Sequence, residues 1–200
     1  PTHRRRAESA DTMSVVQSGP GEVSIYIGGV YASPTPVTIK TLLGSCIAVC
    51  LWDPILRVGG MNHFMLPVAS GSKDDADSTR FGAYAMDVLI GELMMKCKAD
   101  RRRLVAKIFG GAHVVGMKES SEGVPQKNIR FIRQFLEDEG LPILAEDLGG
   151  YSPRLVVFNT GTGGARVKHL SGTNAKQHLV TTEQKVAQTA KPAFGDVTLF

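Results

Sequence analysis

The stretch TLLGSCIAVCLWDPILRVGGMNHFMLP, Thr41 to Pro67, holds two of the three cysteines and one of the five histidines of a 200-residue chain. Near its middle stands Asp53-Pro54, a turn opener, because proline presets the first dihedral of a β-turn and aspartate bonds to the backbone that follows it. The flanking runs CIAVCLWD and RVGGMNHFML are apolar enough to be strands, so the segment reads as a β-hairpin. With Asp53 to Leu56 as the loop, Trp52 faces Arg57, Cys50 faces Gly59, Ala48 faces Met61 and Cys46 faces His63. Directly opposed residues share a face, with Cβ atoms about 4.5–5.5 Å apart. The register therefore predicts a thiol against an imidazole, and a slip of one residue would destroy the pairing.

The neighbours of that pair suit chemistry. Gly44-Ser45 before Cys46 lets a backbone approach closely and offers N–H groups to an oxyanion. Asn62, beside His63, is a further candidate for the same wall, and Gly59-Gly60 is expected to open space beside Cys50. Other readings remain at this point. A cysteine on a strand is commonly a small buried hydrophobe. Zinc is disfavoured, because Cys46 and Cys50 stand about 13 Å apart along a strand at roughly 3.3 Å per residue, too far to share one metal at Zn–S of about 2.3 Å. Ser45 is an alternative nucleophile, but adjacent strand residues face opposite ways, and a thiol needs less activation than a hydroxyl.

Outward from the hairpin, EVSIYIGGV and VTIKTLL alternate with period two and predict strands, the second with Ile39, Thr41 and Leu43 on one face. Asp74 to Thr79 reads as a loop. Met86, Leu89, Ile90, Leu93 and Cys97 recur at helical spacing, which predicts a helix with Cys97 in its buried stripe. LVAKIFGGAHVV predicts a strand entering a Gly-Gly bend. A second helix is expected over about Lys127 to Glu139, ended by Gly140. LPILAED, RLVVFNT and ARVKHL read as further strands. The fold class is α/β, a layered, strand-rich mixed sandwich with two main helices. Residues 1–21 are expected to be a disordered arm, 22–172 a single domain, and 173–200 a mobile tail.

With 42% hydrophobic and 21% charged residues, the chain can bury a core. Its formal charge of +4 is concentrated in His3-Arg4-Arg5-Arg6 and Arg101-Arg102-Arg103, read as a solvated terminus and an exposed loop. Neither run is interleaved with aromatics, so no nucleic-acid partner is expected. Three cysteines make no disulfide framework and point to a reducing compartment. No run approaches a membrane span, and the expected location is the cytoplasm.

TLLGSCIAVCLWDP, VGGMNHFMLP, AKIFGGAHV and LAEDLGG, in this order over about Val23 to Leu170, resemble the CheD family of chemoreceptor glutamine deamidases. The resemblance implies a fold similar to the catalytic domain of deamidating bacterial toxins and a protein-glutamine deamidase of bacterial chemotaxis. It implies Cys46 as nucleophile, His63 as its acid–base partner, and Thr41 as the hydroxyl residue that precedes the cysteine in the family. The implied partners are the receptor's cytoplasmic helical bundle and, in some bacteria, a CheC-type phosphatase. No metal or organic cofactor is implied. EGVPQKNIRFI departs from the family in lacking an Ile-Gly pair ahead of Asn128. His113, after Gly110-Gly111, is a candidate to line the cleft, whereas His169 and His178 are expected to be dispensable. A related thiol hydrolase and a non-catalytic chemotaxis binding module are the alternatives.

Overall fold

The computed structural model describes residues 14–66, 74–114 and 123–171. Among the described residues ten strands form two five-stranded sheets. The first takes β1 (Val15–Gly19), β2 (Glu22–Ile25), β4 (Thr38–Leu43), β9 (Arg154–Asn159) and β10 (Ala165–His169), in that order across the sheet. The second takes β3 (Val30–Ser33), β6 (Val58–Phe64), β5 (Ile47–Asp53), β7 (Val105–Gly110) and β8 (Ile143–Leu148). Helices α1 (Asp74–Met95) and α2 (Val124–Asp138) pack against the outer face of the second sheet. The α/β class and the two helices match the sequence expectation.

Two apolar layers result, and the period-two pattern explains both. In β4, Ile39, Thr41 and Leu43 are buried while Thr38, Lys40 and Leu42 are not. The inward set meets Cys46, Ala48, Cys50, Met61 and Phe109 between the sheets. The alternate residues of the hairpin, Ile47, Val49, Leu51 and Phe64, face Met86, Leu89, Leu93, Ile132 and Leu136 of the helices. β5 and β6 are covered on both faces, which is why they read as continuous apolar runs.

Three expectations are corrected. β1 lies inside the segment expected to be a disordered arm; it folds back on β2, with Val15 opposite Ile25. Residues 1–13 and the expected tail, 173–200, lie outside the described residues. Helix α1 begins at Asp74, where a loop was expected to run to Thr79; a polar opening turn carries no apolar period. The segment EVSIYIGGV is two strands in different sheets, divided at Gly28, whose φ of 81° favours glycine.

The hairpin register also differs, by two residues. Asp53 pairs with Val58, Trp52 with Gly59, Cys50 with Met61 and Ala48 with His63. The loop is Pro54 to Arg57 rather than Asp53 to Leu56. Asp53 stays in the ladder because its carbonyl accepts from Arg57 N–H at 2.8 Å and its carboxylate from Ile55 N–H at 2.9 Å and Leu56 N–H at 3.2 Å. Arg57 then closes the loop with a φ of 56°. The arginine run is likewise tied down, since Arg101 pairs with Glu139, Arg102 with Asp100, and Arg103 with the buried Asp53. Among the described residues no helix is long and apolar enough to cross a membrane.

The hairpin glycines do not open space at Cys50; they admit neighbours elsewhere. A Cβ on Gly59 would meet the Phe158 ring at 3.1 Å, and one on Gly60 would meet the Tyr31 carbonyl oxygen at 2.7 Å, Leu89 Cδ1 at 2.8 Å and Ala32 Cβ at 2.9 Å. Two of the three atoms at Gly60 belong to the body of β3 and cannot swing away. Gly60→Ala should therefore destabilise the fold by about 1–3 kcal/mol through overpacking, although alanine loses less chain entropy on folding than glycine. Urea unfolding of the two proteins measures the difference.

Candidate active site

Thr41 on β4 and His63 on β6 meet across the layer between the sheets. Thr41 Oγ1 is 2.8 Å from the Ile25 carbonyl oxygen and 2.8 Å from His63 Nδ1. A hydroxyl has one proton, and a carbonyl can only accept. That proton therefore goes to Ile25, and the Thr41 oxygen accepts from Nδ1–H. The imidazole is held as the Nδ1–H tautomer, so Nε2 carries the lone pair. Nε2 is buried and has no hydrogen-bond partner among the described residues. The main chain of His63 is pinned as well: its N–H donates to Gly29 O at 2.9 Å, and its carbonyl accepts from Gly28 N–H at 2.7 Å. Burial pushes the His63 pKa down to about 3, so the ring is neutral at ordinary pH.

Cys46 is fully buried in the same inter-sheet layer. Because the register is offset by two rather than one, the face is preserved and the pairing changes. Ala48 is opposite His63, and continuing that register sets Cys46 opposite Met65. Thiol and imidazole thus stay on the inter-sheet face, at positions that a regular continuation of the ladder makes diagonal rather than directly opposed.

The turn carrying Cys46 is fixed through its carbonyls. Gly44 O accepts from Ala112 N–H at 2.7 Å and Cys46 O from Gly111 N–H at 2.8 Å. Ser45 O accepts from Asn128 Nδ2 at 2.9 Å, and the Ser45 hydroxyl lies 3.8 Å from Met65 Sδ. Gly110, with a φ of 117°, passes so close that a Cβ would overlap the Cys46 carbonyl.

Other candidates fall elsewhere. Asn62 is buried on the opposite face of β6, where its Oδ1 accepts from Val49 N–H at 3.1 Å and its Nδ2 donates to Ala85 O at 3.1 Å; it does not join Cys46 and His63. Lys40 points outward and pairs with Glu22 at 2.6 Å. Cys50 sits opposite Met61, and burial pushes its thiol pKa up. Cys97 is buried against the same core, as its spacing predicts, but lies two residues past the end of α1 at Met95. His113 is half-buried beside the Tyr151 ring, 6.2 Å between centroids. His169 is exposed and bonded to Asp147, and His178 lies outside the described residues. Among the described residues no three His, Cys, Asp or Glu side chains gather as a metal site. The sequence reading gave no role to Asn128, whose signal is a polar residue in the helical series Pro125, Asn128, Ile132, Leu136, all buried.

A family model described as CheD chemotactic sensory transduction matches residues 65–169. The chain belongs to the CheD family. A CheD relative from Xanthomonas euvesicatoria, named probable chemoreceptor glutamine deamidase CheD, is 44% identical over 163 residues, covering 81% of this chain and 80% of that protein. Another from Vibrio vulnificus, with the same name, is 38% identical over 181 residues, covering 86% and 82%. The CheD model match begins after His63, but an alignment covering 81% of a 200-residue chain must span Thr41, Cys46 and His63. Among solved structures, the Bacillus licheniformis hypothetical protein YfiH matches at a TM-score of 0.39 and 12% identity, over 58% of this chain and 49% of that one.

Because the folded His63 pKa of about 3 lies below the unfolded value near 6.5, the unfolded chain binds the extra proton between those limits. The stability contributed by keeping His63 neutral is complete above about pH 6.5 and is lost as pH falls toward 3, with a slope approaching about 1.4 kcal/mol per pH unit. His63→Gln should flatten that part of the stability curve, whatever it does to stability at pH 7. Urea midpoints between pH 7 and 4.5 measure it.

Proposed function

We propose that this chain is a protein-glutamine deamidase of methyl-accepting chemoreceptors, converting specific glutamine side chains to glutamate with release of ammonia. Membership of the CheD family supports this reading, as do the names of its relatives. The observation that carries the chemistry is the Thr41–His63 hydrogen bond, which leaves the Nε2 lone pair in the layer that also holds Cys46.

In the proposed cycle, His63 Nε2 takes the Cys46 thiol proton as the sulfur attacks the glutamine carboxamide carbon. A tetrahedral oxyanion forms, for which backbone N–H groups around Gly44 to Cys46 are the candidate donors. His63 returns its proton to the departing nitrogen, ammonia leaves, and a thioester remains. Water, deprotonated by the same Nε2, then attacks the thioester. Collapse of the second tetrahedral intermediate expels the sulfur, which recovers its proton, and glutamate is released. Every proton passes through one nitrogen, so Thr41 is assigned the task of keeping the other nitrogen protonated.

The receptor's helical bundle is the proposed partner, because the substrate side chain must be offered on an exposed protein surface. A CheC-type phosphatase is a second candidate partner on the family resemblance alone. Deamidation replaces a neutral side chain with a carboxylate, which alters the electrostatics of the helical bundle. The same change creates the carboxylate that methylation requires.

Incubation with a receptor cytoplasmic fragment should give a glutamine-to-glutamate mass shift and ammonia. Cys46→Ala should abolish both, while Cys50→Ala and Cys97→Ala retain them. Receptor binding without any mass shift would instead favour the non-catalytic module. Thr41→Val keeps the shape but removes the hydroxyl, and should slow the chemical step about ten- to a hundredfold, equivalent to about 1.4–2.7 kcal/mol. An unchanged single-turnover rate would remove Thr41 from the mechanism.

A further inference from the structure

The β5–β6 ladder ends one step before the proposed nucleophile, and a side chain continues it. The direction of each backbone group follows from bonds already described. Cys46 O accepts from Gly111 on the β7 side, so the preceding carbonyl, that of Ser45, faces β6. His63 bonds through both its N–H and its carbonyl to Gly29 and Gly28, so the residues of β6 that alternate with it, and Leu66 beyond them, face β5. The register that sets Ile47 opposite Phe64 sets Ser45 opposite Leu66. A regular antiparallel ladder would close Leu66 N–H directly onto Ser45 O.

It does not close. Leu66 N–H donates to Asn128 Oδ1 at 2.9 Å, and Asn128 Nδ2 donates to Ser45 O at 2.9 Å. The carboxamide, wholly buried on α2, stands between the two backbone groups with its acceptor toward one and its donor toward the other. Two hydrogen bonds and the width of an amide replace one hydrogen bond, so the strands are held apart at this step.

We propose that Asn128 is a positioning residue, a spacer spliced into the hairpin ladder that keeps its open end apart at Cys46. This rests on the reading of Cys46 as the nucleophile. The trans peptide is planar, so fixing Ser45 C=O toward Asn128 also fixes the Cys46 N–H in the opposite direction, and with it the start of the thiol-bearing residue. Only a group with one donor and one acceptor in a plane can do this. An ionised aspartate would turn an acceptor onto the Ser45 carbonyl, and leucine would leave both backbone groups without partners.

Three measurements test the spacer. In the wild-type protein, NMR should detect scalar coupling through the hydrogen bond between the Leu66 amide nitrogen and Asn128 Cγ; its absence overturns the proposal. Asn128→Ala should lower kcat about tenfold or more with KM within about twofold, and should displace the pH profile of Cys46 alkylation by iodoacetamide, which a purely structural role would leave in place. Asn128→Asp, close in shape, should share the kcat loss at neutral pH and recover part of it as pH falls and the carboxyl regains a donor proton. If Asn128→Ala does not fold, the aspartate variant and the coupling decide. Folded variants with wild-type kcat and alkylation profile overturn the spacer alone, provided Cys46→Ala is inactive. An active Cys46→Ala overturns both the spacer and the reading it rests on.

Discussion

The buried Thr41 hydroxyl joins the two sheets at the point where the chemistry is proposed. Thr41 gives its proton to Ile25 O of its own sheet and accepts from His63 of the other. Neither bond is made to water, and both partners lie in an apolar layer where an unsatisfied polar group would cost about 1–3 kcal/mol. The arrangement is therefore directional as well as stabilising. Reversing the imidazole tautomer would set a bare nitrogen against an oxygen whose proton is committed elsewhere. Fold and tautomer are one constraint, because the sheets cannot pack this way without orienting the ring.

The backbone around Cys46 is held from the remaining sides by elements that are distant in sequence. Gly111 and Ala112 donate to the Cys46 and Gly44 carbonyls. They can come this close because Gly110 lacks a Cβ and adopts a φ that other residues avoid. Gly110 O in turn accepts from Gly149 N–H, and His113 N–H donates to Gly150 O. The buried Arg154 guanidinium binds the carbonyls of Asp147 and Gly149 across that turn. The Gly-Gly pairs of AKIFGGAHV and LAEDLGG, far apart in the chain, thus serve one contact, in which backbone packs on backbone behind the turn that carries Cys46.

Much of this was legible in the sequence, and the failures have physical causes. Period two places the strands and sets Thr41 on one face with Ile39 and Leu43, the face that is buried, because alternation is a property of the strand alone. The hairpin register departs from the expectation because a turn signal at Asp53-Pro54 does not state where the ladder stops; the Asp53 side chain caps the loop while its backbone remains paired. The error was even, so it left Cys46 and His63 on one face, whereas an odd error would have separated them. Asn62 was misplaced by the same parity, being one residue from His63 and hence on the other side. Asn128 was not legible as a ladder element, since nothing local to α2 reveals which backbone groups lie across the core.

The neutral state of His63 bears on how the proposed chemistry begins. An ion pair of thiolate and imidazolium at rest would place two charges in a layer made of Val23, Ile25, Met61, Phe109 and Phe158. Desolvation opposes each of those charges, and it already holds His63 far below its usual pKa. A resting thiol beside a neutral ring avoids that cost, so the proton is best moved as the sulfur bonds to carbon and negative charge passes to the amide oxygen. Under this chemistry the apolar layer disfavours a thiolate in the empty enzyme, and the substrate supplies the acceptor for its charge. A pair that ionised in advance would need less from the substrate, but also a more polar layer than the two sheets provide.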